Sequence, residues 1–166
     1  MITVTKTNLQ DVLLIKPEIF TDHRGQYVEI YNEEEYNHHT GSPRFYQDDI
    51  SVSHRDVLRG IHGDAETWKL ISCLHGRIYL VVVCCDKESP QWGQWQDFTL
   101  SGVNRHQVLV PPKFGVGHLV LSKKAIFHYK QNTYYDRSRQ FTYRYDDPVF
   151  NIWWPCNDPI LSKRDS

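Results

Sequence analysis

A chain of 166 residues that is 40% apolar and 23% charged is most simply one soluble domain, residues 1–166, with a hydrophobic core of its own. Its formal net charge of -1 gives no basic field, which argues against a nucleic-acid partner. The opening MITVTKTNLQDVLLIKP has no apolar run behind a basic stretch, and no segment has the length needed to span a bilayer, so neither a signal peptide nor a membrane is expected.

In chain order the strand-like runs are TVTKTN, DVLLIKP, QYVEIYN, RFYQDDISVS, VLRGIH, TWKLISCLHG, RIYLVVVCCD, QWQDFTLS, HQVLVPP, GHLVLS and AIFHYKQNTYY. Turn signals separate them: DHRG, GSP, HG, ESPQWG, SGVN, PPKFG and DDP. Short runs at this spacing are the signature of an all-β sandwich or barrel. NEEEYNHH is helix-like, and Asn32 is placed to cap a short amphipathic turn. The unbroken apolar run in RIYLVVVCCD predicts a strand buried on both faces, as in a double-sheet jelly roll or cupin-like barrel with a cavity between its sheets.

VLRGIHGDAETWKL sets Arg59, His62 and Lys69 among apolar residues. Such groups are costly to bury unless paired or used, so they sit at strand ends or line a pocket. Of the four cysteines, Cys73, Cys84, Cys85 and Cys156, none forms a C-x-x-C pair, and adjacent Cys84 and Cys85 point to opposite faces of a strand. Free thiols in a reducing cytoplasm are the simple reading. Five Trp, ten Tyr and seven Phe suit a pocket that stacks flat rings and sugar faces, with Trp68, Trp92, Tyr134 and Tyr135 as stacking candidates. There is no His-x-His pair; His38 and His39 are adjacent, and His62, Glu66 and His75 are poorly spaced, so no metal is expected.

Taken together, DHRGQYVEIYN, YQDDISVS, VLRGIH, WKLISCLHGRIYLVVV, ESPQWGQW, LSGVNRHQVLVPPKFG, AIFHYKQNTYYD, YDDPVFNIWWP and LSKRD resemble, in order, the dTDP-4-dehydrorhamnose 3,5-epimerase family of nucleotide-sugar epimerases. The resemblance covers nearly the whole chain. It implies a metal-free, cofactor-free jelly roll, usually a homodimer whose N-terminal strand crosses to the partner. It also implies a substrate in which a 4-keto-6-deoxy sugar is attached to a nucleoside diphosphate. On the matching positions it implies His62 as base, Tyr129 as acid, Asp165 as the carboxylate orienting the base, and Lys69 near the carbonyl. Arg24 and Arg59 match the arginines that hold the diphosphate, and Gln47 lies on the substrate-binding strand. Glu29, His118 and Tyr135 complete the expected substrate-binding set.

These residue types fit the chemistry. A C4 carbonyl acidifies the hydrogens on C3 and C5; removing one gives an enolate, and returning a proton to the other face inverts the centre. That takes a base, an opposed donor, and positive charge at the developing oxyanion. A carboxylate on the second imidazole nitrogen fixes the tautomer and stabilises the imidazolium. Singly, each residue has a plain structural explanation: a strand-end histidine, a core tyrosine, a frayed terminal aspartate, a solvent-facing lysine. It is their order that supports the catalytic reading.

Three departures bear on substrate. The loop from His62 to Lys69 is about three residues shorter than the family's usual length, Asp49 stands where Asn is common, and Val116 stands where His is common, with His118 two residues on. Residues two apart on a strand share a face, so His118 is expected to re-enter the pocket. The departures leave inversion at C3, at C5 or at both open. A 3,4-ketoisomerase and a non-catalytic nucleotide-sugar-binding jelly roll are the competing readings.

Overall fold

The computed structural model describes residues 1–166 and is an all-β double-sheet jelly roll. Its strands are β1 (Ile2–Lys6), β2 (Leu13–Pro17), β3 (Ile19–Asp22), β4 (Gly25–Val28), β5 (Gln47–His54), β6 (Leu58–Gly63) and β7 (Lys69–His75). They continue with β8 (Arg77–Cys84), β9 (Trp95–Ser101), β10 (Gln107–Val110), β11 (Phe114–Val120), β12 (Lys124–Gln131) and β13 (Phe141–Thr142). A six-stranded sheet in the order β1-β2-β10-β7-β12-β5 faces a five-stranded sheet in the order β13-β6-β11-β8-β9. No helix is long and apolar enough to cross a membrane.

The one α-helix, α1 (Glu33–Thr40), begins where the sequence predicts. The Asn32 side chain accepts a hydrogen bond from the Glu35 amide, three glutamates fill the first turn, and His38 and His39 fill the last. Gly41 ends it at φ 66, the left-handed conformation that glycine adopts most cheaply. A 3-10 turn at Arg137–Arg139 is the only other helical piece.

Alternation divides the apolar side chains among three layers. Ile71, Cys73, Ile78, Leu80, Val82, Phe98, Val108 and Phe127 fill the space between the two sheets. On the outer face of the five-stranded sheet, Tyr79, Val81 and Val83 pack under Phe150 and Trp154 of the C-terminal segment. This explains why the β8 sequence is apolar at successive positions: its inner face meets the opposite sheet and its outer face meets that segment. On the outer face of the six-stranded sheet, Leu70 and Leu109 pack under Tyr36 of α1. The Tyr36 hydroxyl donates to Gln107 Oε1 at 2.6 Å, which satisfies a polar atom beneath the helix.

The sequence pattern predicts neither β3 nor β13. QYVEIYN contributes only Gln26–Val28 to β4, which forms a hairpin with β3 and pairs with neither main sheet. The two residues of β13 extend the five-stranded sheet beyond β6. Cys73 and Cys84 are buried and Cys85 and Cys156 half-buried, all as free thiols.

Candidate active site

Between the sheets lies a cavity of about 370 Å³. Each sheet supplies strands to its wall in alternation: Gln47, Asp49 and Ser51 from β5, Phe127 and Tyr129 from β12, and Lys69 and Ile71 from β7 on one side. Opposite them stand Arg59 and His62 from β6 and Val116 and His118 from β11. Tyr135, Gln140 and Arg164 come from the segments after β12 and at the C-terminus. Register explains the grouping: Tyr129 pairs with Asp49, Phe127 with Ser51, Val116 with His62 and His118 with Arg59. Directly paired residues share a face of their sheet. Gly60 lets β6 lie close against β11; its φ is 114, and a side chain there would collide with the Val116 carbonyl.

The His62 ring donates through Nε2 to Asp165 Oδ1 at 2.6 Å. Asp165 is 3% exposed, and its other oxygen accepts from the Ser162 hydroxyl at 3.1 Å. Burial pushes this carboxyl up, but hydrogen bonds from His62, the Gly60 amide and Ser162, together with the His62 charge, hold it below its ordinary value. The aspartate is therefore ionised at neutral pH. It reaches the ring because the C-terminal segment is pinned: Leu58 donates to the Ile160 carbonyl at 3.0 Å and Ile160 to that of Asp56 at 2.8 Å.

Tyr129 lies in the opposite wall. Burial, and next the Asp49 carboxylate, push its phenol up to about 12, so it is a protonated donor across the physiological range. Gln47 Nε2 donates to Asp49 Oδ2 at 2.7 Å, fixing the carboxylate beside the phenol. The Lys69 ammonium sits 5.6 Å from the centre of the Tyr129 ring. Burial chiefly lowers the Lys69 pKa, Arg164 lowers it further, and Asp64 opposes both. At the rim, Arg164 donates to Gln140 Oε1 at 2.9 Å and to Thr142 Oγ1. Arg59 Nε reaches across to Ser53 Oγ at 3.1 Å and is otherwise unpartnered.

The short loop after β6 is held by Asp64, which accepts from the amides of Glu66 and Thr67 and from the Thr67 hydroxyl. Thr67 also meets Thr133 at 2.7 Å, and the Tyr135 amide donates to Gln47 Oε1, so the loop and the Tyr135 segment are tied to one wall. No group of three or more His, Cys, Asp or Glu side chains converges as a metal-ligand set.

Of the residues expected from sequence, His62, Tyr129, Lys69, Gln47, Arg59, His118 and Tyr135 line this cavity, and Asp165 stands behind His62. Arg24 and Glu29 do not. Arg24 is on the turn of the β3–β4 hairpin with its guanidinium on Asp22 at 2.5 Å, and Glu29 is exposed just beyond that hairpin. The reason is topological: the hairpin is a separate two-stranded sheet that does not reach the chain's own cavity. Of the stacking candidates only Tyr135 borders the cavity; Trp92 packs on Phe150 and Tyr143 in the outer layer, Trp68 packs near Tyr36, and exposed Tyr134 lies beside Tyr46. The cavity wall also holds Ser51, Gln140 and Arg164, which the sequence reading does not mark, and Asp49, which it marks only as a departure from the common Asn. A two-residue step from Gln47 along β5 points to Asp49 and Ser51; no comparable signal marks Gln140.

The family model for dTDP-4-dehydrorhamnose 3,5-epimerase matches residues 6–166. An enzyme of that name from Shigella flexneri is 37% identical, with 98% of this chain and 92% of the relative covered. A dTDP-4-dehydrorhamnose 3-epimerase from Streptomyces niveus is 33% identical over 95% of this chain and 78% of its own. Among solved structures, dTDP-6-deoxy-D-glucose-3,5-epimerase from Legionella pneumophila, in complex with dTDP-4-keto-L-rhamnose, superposes with TM-score 0.95 at 36% identity, covering 99% of this chain and 90% of that one. A 3'-monoepimerase from Streptomyces bikiniensis in complex with dTDP-quinovose gives TM-score 0.91 at 29% identity, covering 96% and 83%. The sequence, the two-sheet architecture and these relatives agree: the chain belongs to the dTDP-4-dehydrorhamnose 3,5-epimerase family of isomerases.

Proposed function

We propose that the cavity binds a dTDP-linked 4-keto-6-deoxy sugar and inverts a carbon next to the ketone. His62 takes the proton from that carbon through Nδ1, the nitrogen that Asp165 leaves free, and Asp165 stabilises the imidazolium that forms. The C–H electron pair moves into the ring as an enolate, with negative charge on the C4 oxygen. Lys69 stabilises that oxygen. A cation disfavoured by burial gains most when an opposite charge develops beside it, so the interaction is stronger in the transition state than in the ground state. Tyr129 then gives its hydroxyl proton to the opposite face. Arg59 holds the diphosphate, Gln47 and His118 contact the substrate, and Tyr135 stacks on the base.

Arg24 and Glu29 fit this scheme in a homodimer. Their hairpin is unpaired with either main sheet, with Phe20 53% and Tyr27 70% exposed, a surface suited to a second copy of the chain. In that arrangement the N-terminal hairpin of each copy brings Arg24 to the other's diphosphate. The four free thiols fit a reducing, cytoplasmic setting.

The observation that carries this reading is the 2.6 Å His62–Asp165 pair facing the same cavity as Tyr129. In deuterated water, enzyme and a dTDP-linked 4-keto-6-deoxy hexose should place deuterium at each carbon that is inverted, and the number of labelled carbons reads how many centres are acted on. The His62→Ala variant should lose this exchange, by about 10²-fold or more. Identical spectra from wild type and variant would refute the assignment.

A further inference from the structure

Two residues of the cavity wall each carry a buried side-chain atom with no hydrogen-bond partner in the protein: Oγ of Ser51 and Nε2 of His118. They approach from opposite sheets, Ser51 on β5 and His118 on β11. Phe127 connects them: it is the cross-strand neighbour of Ser51, and its ring stacks on that of His118 with centroids 4.0 Å apart and planes 8° apart. The stack fixes the imidazole plane and therefore the direction of its nitrogens. His118 is 3% exposed. Desolvated polar atoms without partners are costly and scarce in folded proteins, and two beside one cavity mark a place built to receive a polar group.

The character of that group follows from the surroundings. Burial, then the charges of Arg59 and His62, hold the His118 pKa at about 3 against the opposing pull of Asp165, so the ring is neutral at physiological pH. A neutral imidazole offers one donor and one acceptor, and a serine hydroxyl offers both. Such a pair matches a hydroxyl, which itself donates and accepts. A phosphate oxygen only accepts, and is better met by the cation of Arg59 on the neighbouring strand.

We propose that Ser51 and His118 together form a subsite that hydrogen-bonds a hydroxyl of the sugar and so sets which way the ring presents its carbons to His62 and Tyr129. The assignment rests on the nucleotide-sugar reading of the cavity. It makes these two side chains specificity determinants, since a sugar lacking that hydroxyl leaves both atoms unpaired.

The test is calorimetric titration of wild type, Ser51→Ala and His118→Phe with two probes, dTDP and dTDP-quinovose. His118→Phe keeps an aromatic ring on Phe127, one ring atom larger, and removes the nitrogens. Each variant should bind dTDP-quinovose about tenfold more weakly than wild type and bind dTDP as wild type does, which also shows that it is folded. Equal losses for both probes, or no loss for either, would overturn the subsite. Failure of the wild type to bind either probe would overturn the nucleotide-sugar reading, and this assignment with it.

Discussion

The contact between His62 Nε2 and Asp165 Oδ1 decides which imidazole nitrogen is left for chemistry, because an ionised carboxylate accepts and Nε2 must then carry the proton. Opposite it, Asp49 plays against its neighbour. Its charge makes the Tyr129 phenolate costlier and so makes the phenol a poorer acid. Asp49→Asn removes that charge while keeping an acceptor for Gln47, so the phenol pKa should fall from about 12 and the alkaline limb of the kcat profile should move to lower pH. An alkaline limb that stays in place in the variant would show that Asp49 does not tune Tyr129. Arg59, His62 and Lys69 were legible because they interrupt apolar runs, whereas Gln47 and Tyr129 stood out only through the family resemblance; all five line the cavity. Ser51 is less visible: it is a common surface type, marked only by its place two residues beyond Asp49 on β5, opposite Phe127.

At the scale of elements, the segment after β13 does two jobs. Its Phe150 and Trp154 cover the outer face of β8, and its last residues return to β6 and carry Asp165 to His62. Sequence pattern alone could not join residues 103 positions apart; the joining depends on backbone bonds at Ile160 and on Arg164 reaching Gln140 and Thr142. Removing residues after Leu161 preserves the Ile160 bonds and the aromatic cover, so the shortened chain should stay folded, with kcat down about 10²-fold or more. Asp165→Asn in the full chain should fall similarly. Thermal unfolding and initial rates on both proteins check this, and full activity in the shortened chain would contradict it. Local signals served helix α1 well, since its cap, its first-turn acids and its terminal glycine all lie within a few residues. They failed for β3 and β13, which are short, mostly exposed, and defined by their partners rather than by their own pattern.

For the molecule as a whole, the double-sheet class was readable because strand lengths, turn spacing and the twice-buried β8 all called for two packed layers. Strand order was not, since β10 lies between β2 and β7, and β12 between β7 and β5, through contacts distant in sequence. The placement of Arg24 is the clearest case in which one chain does not complete the expected site. If the hairpin acts on a second copy, Arg24→Ala and His62→Ala chains should each be impaired alone and regain activity when co-expressed. Each mixed dimer would then hold one cavity with both His62 and an intact Arg24. Absence of any recovery in purified mixed dimers would place the hairpin's role within its own chain.

Proton removal from one face of a carbon by His62 and delivery to the other by Tyr129 is the central claim, and the Tyr129→Phe variant followed in deuterated water tests it most directly. Recovered substrate of unchanged configuration should still gain deuterium through His62, while inverted product forms about 10²-fold more slowly. Inversion at the wild-type rate, or loss of exchange in equal measure with loss of inversion, would contradict it.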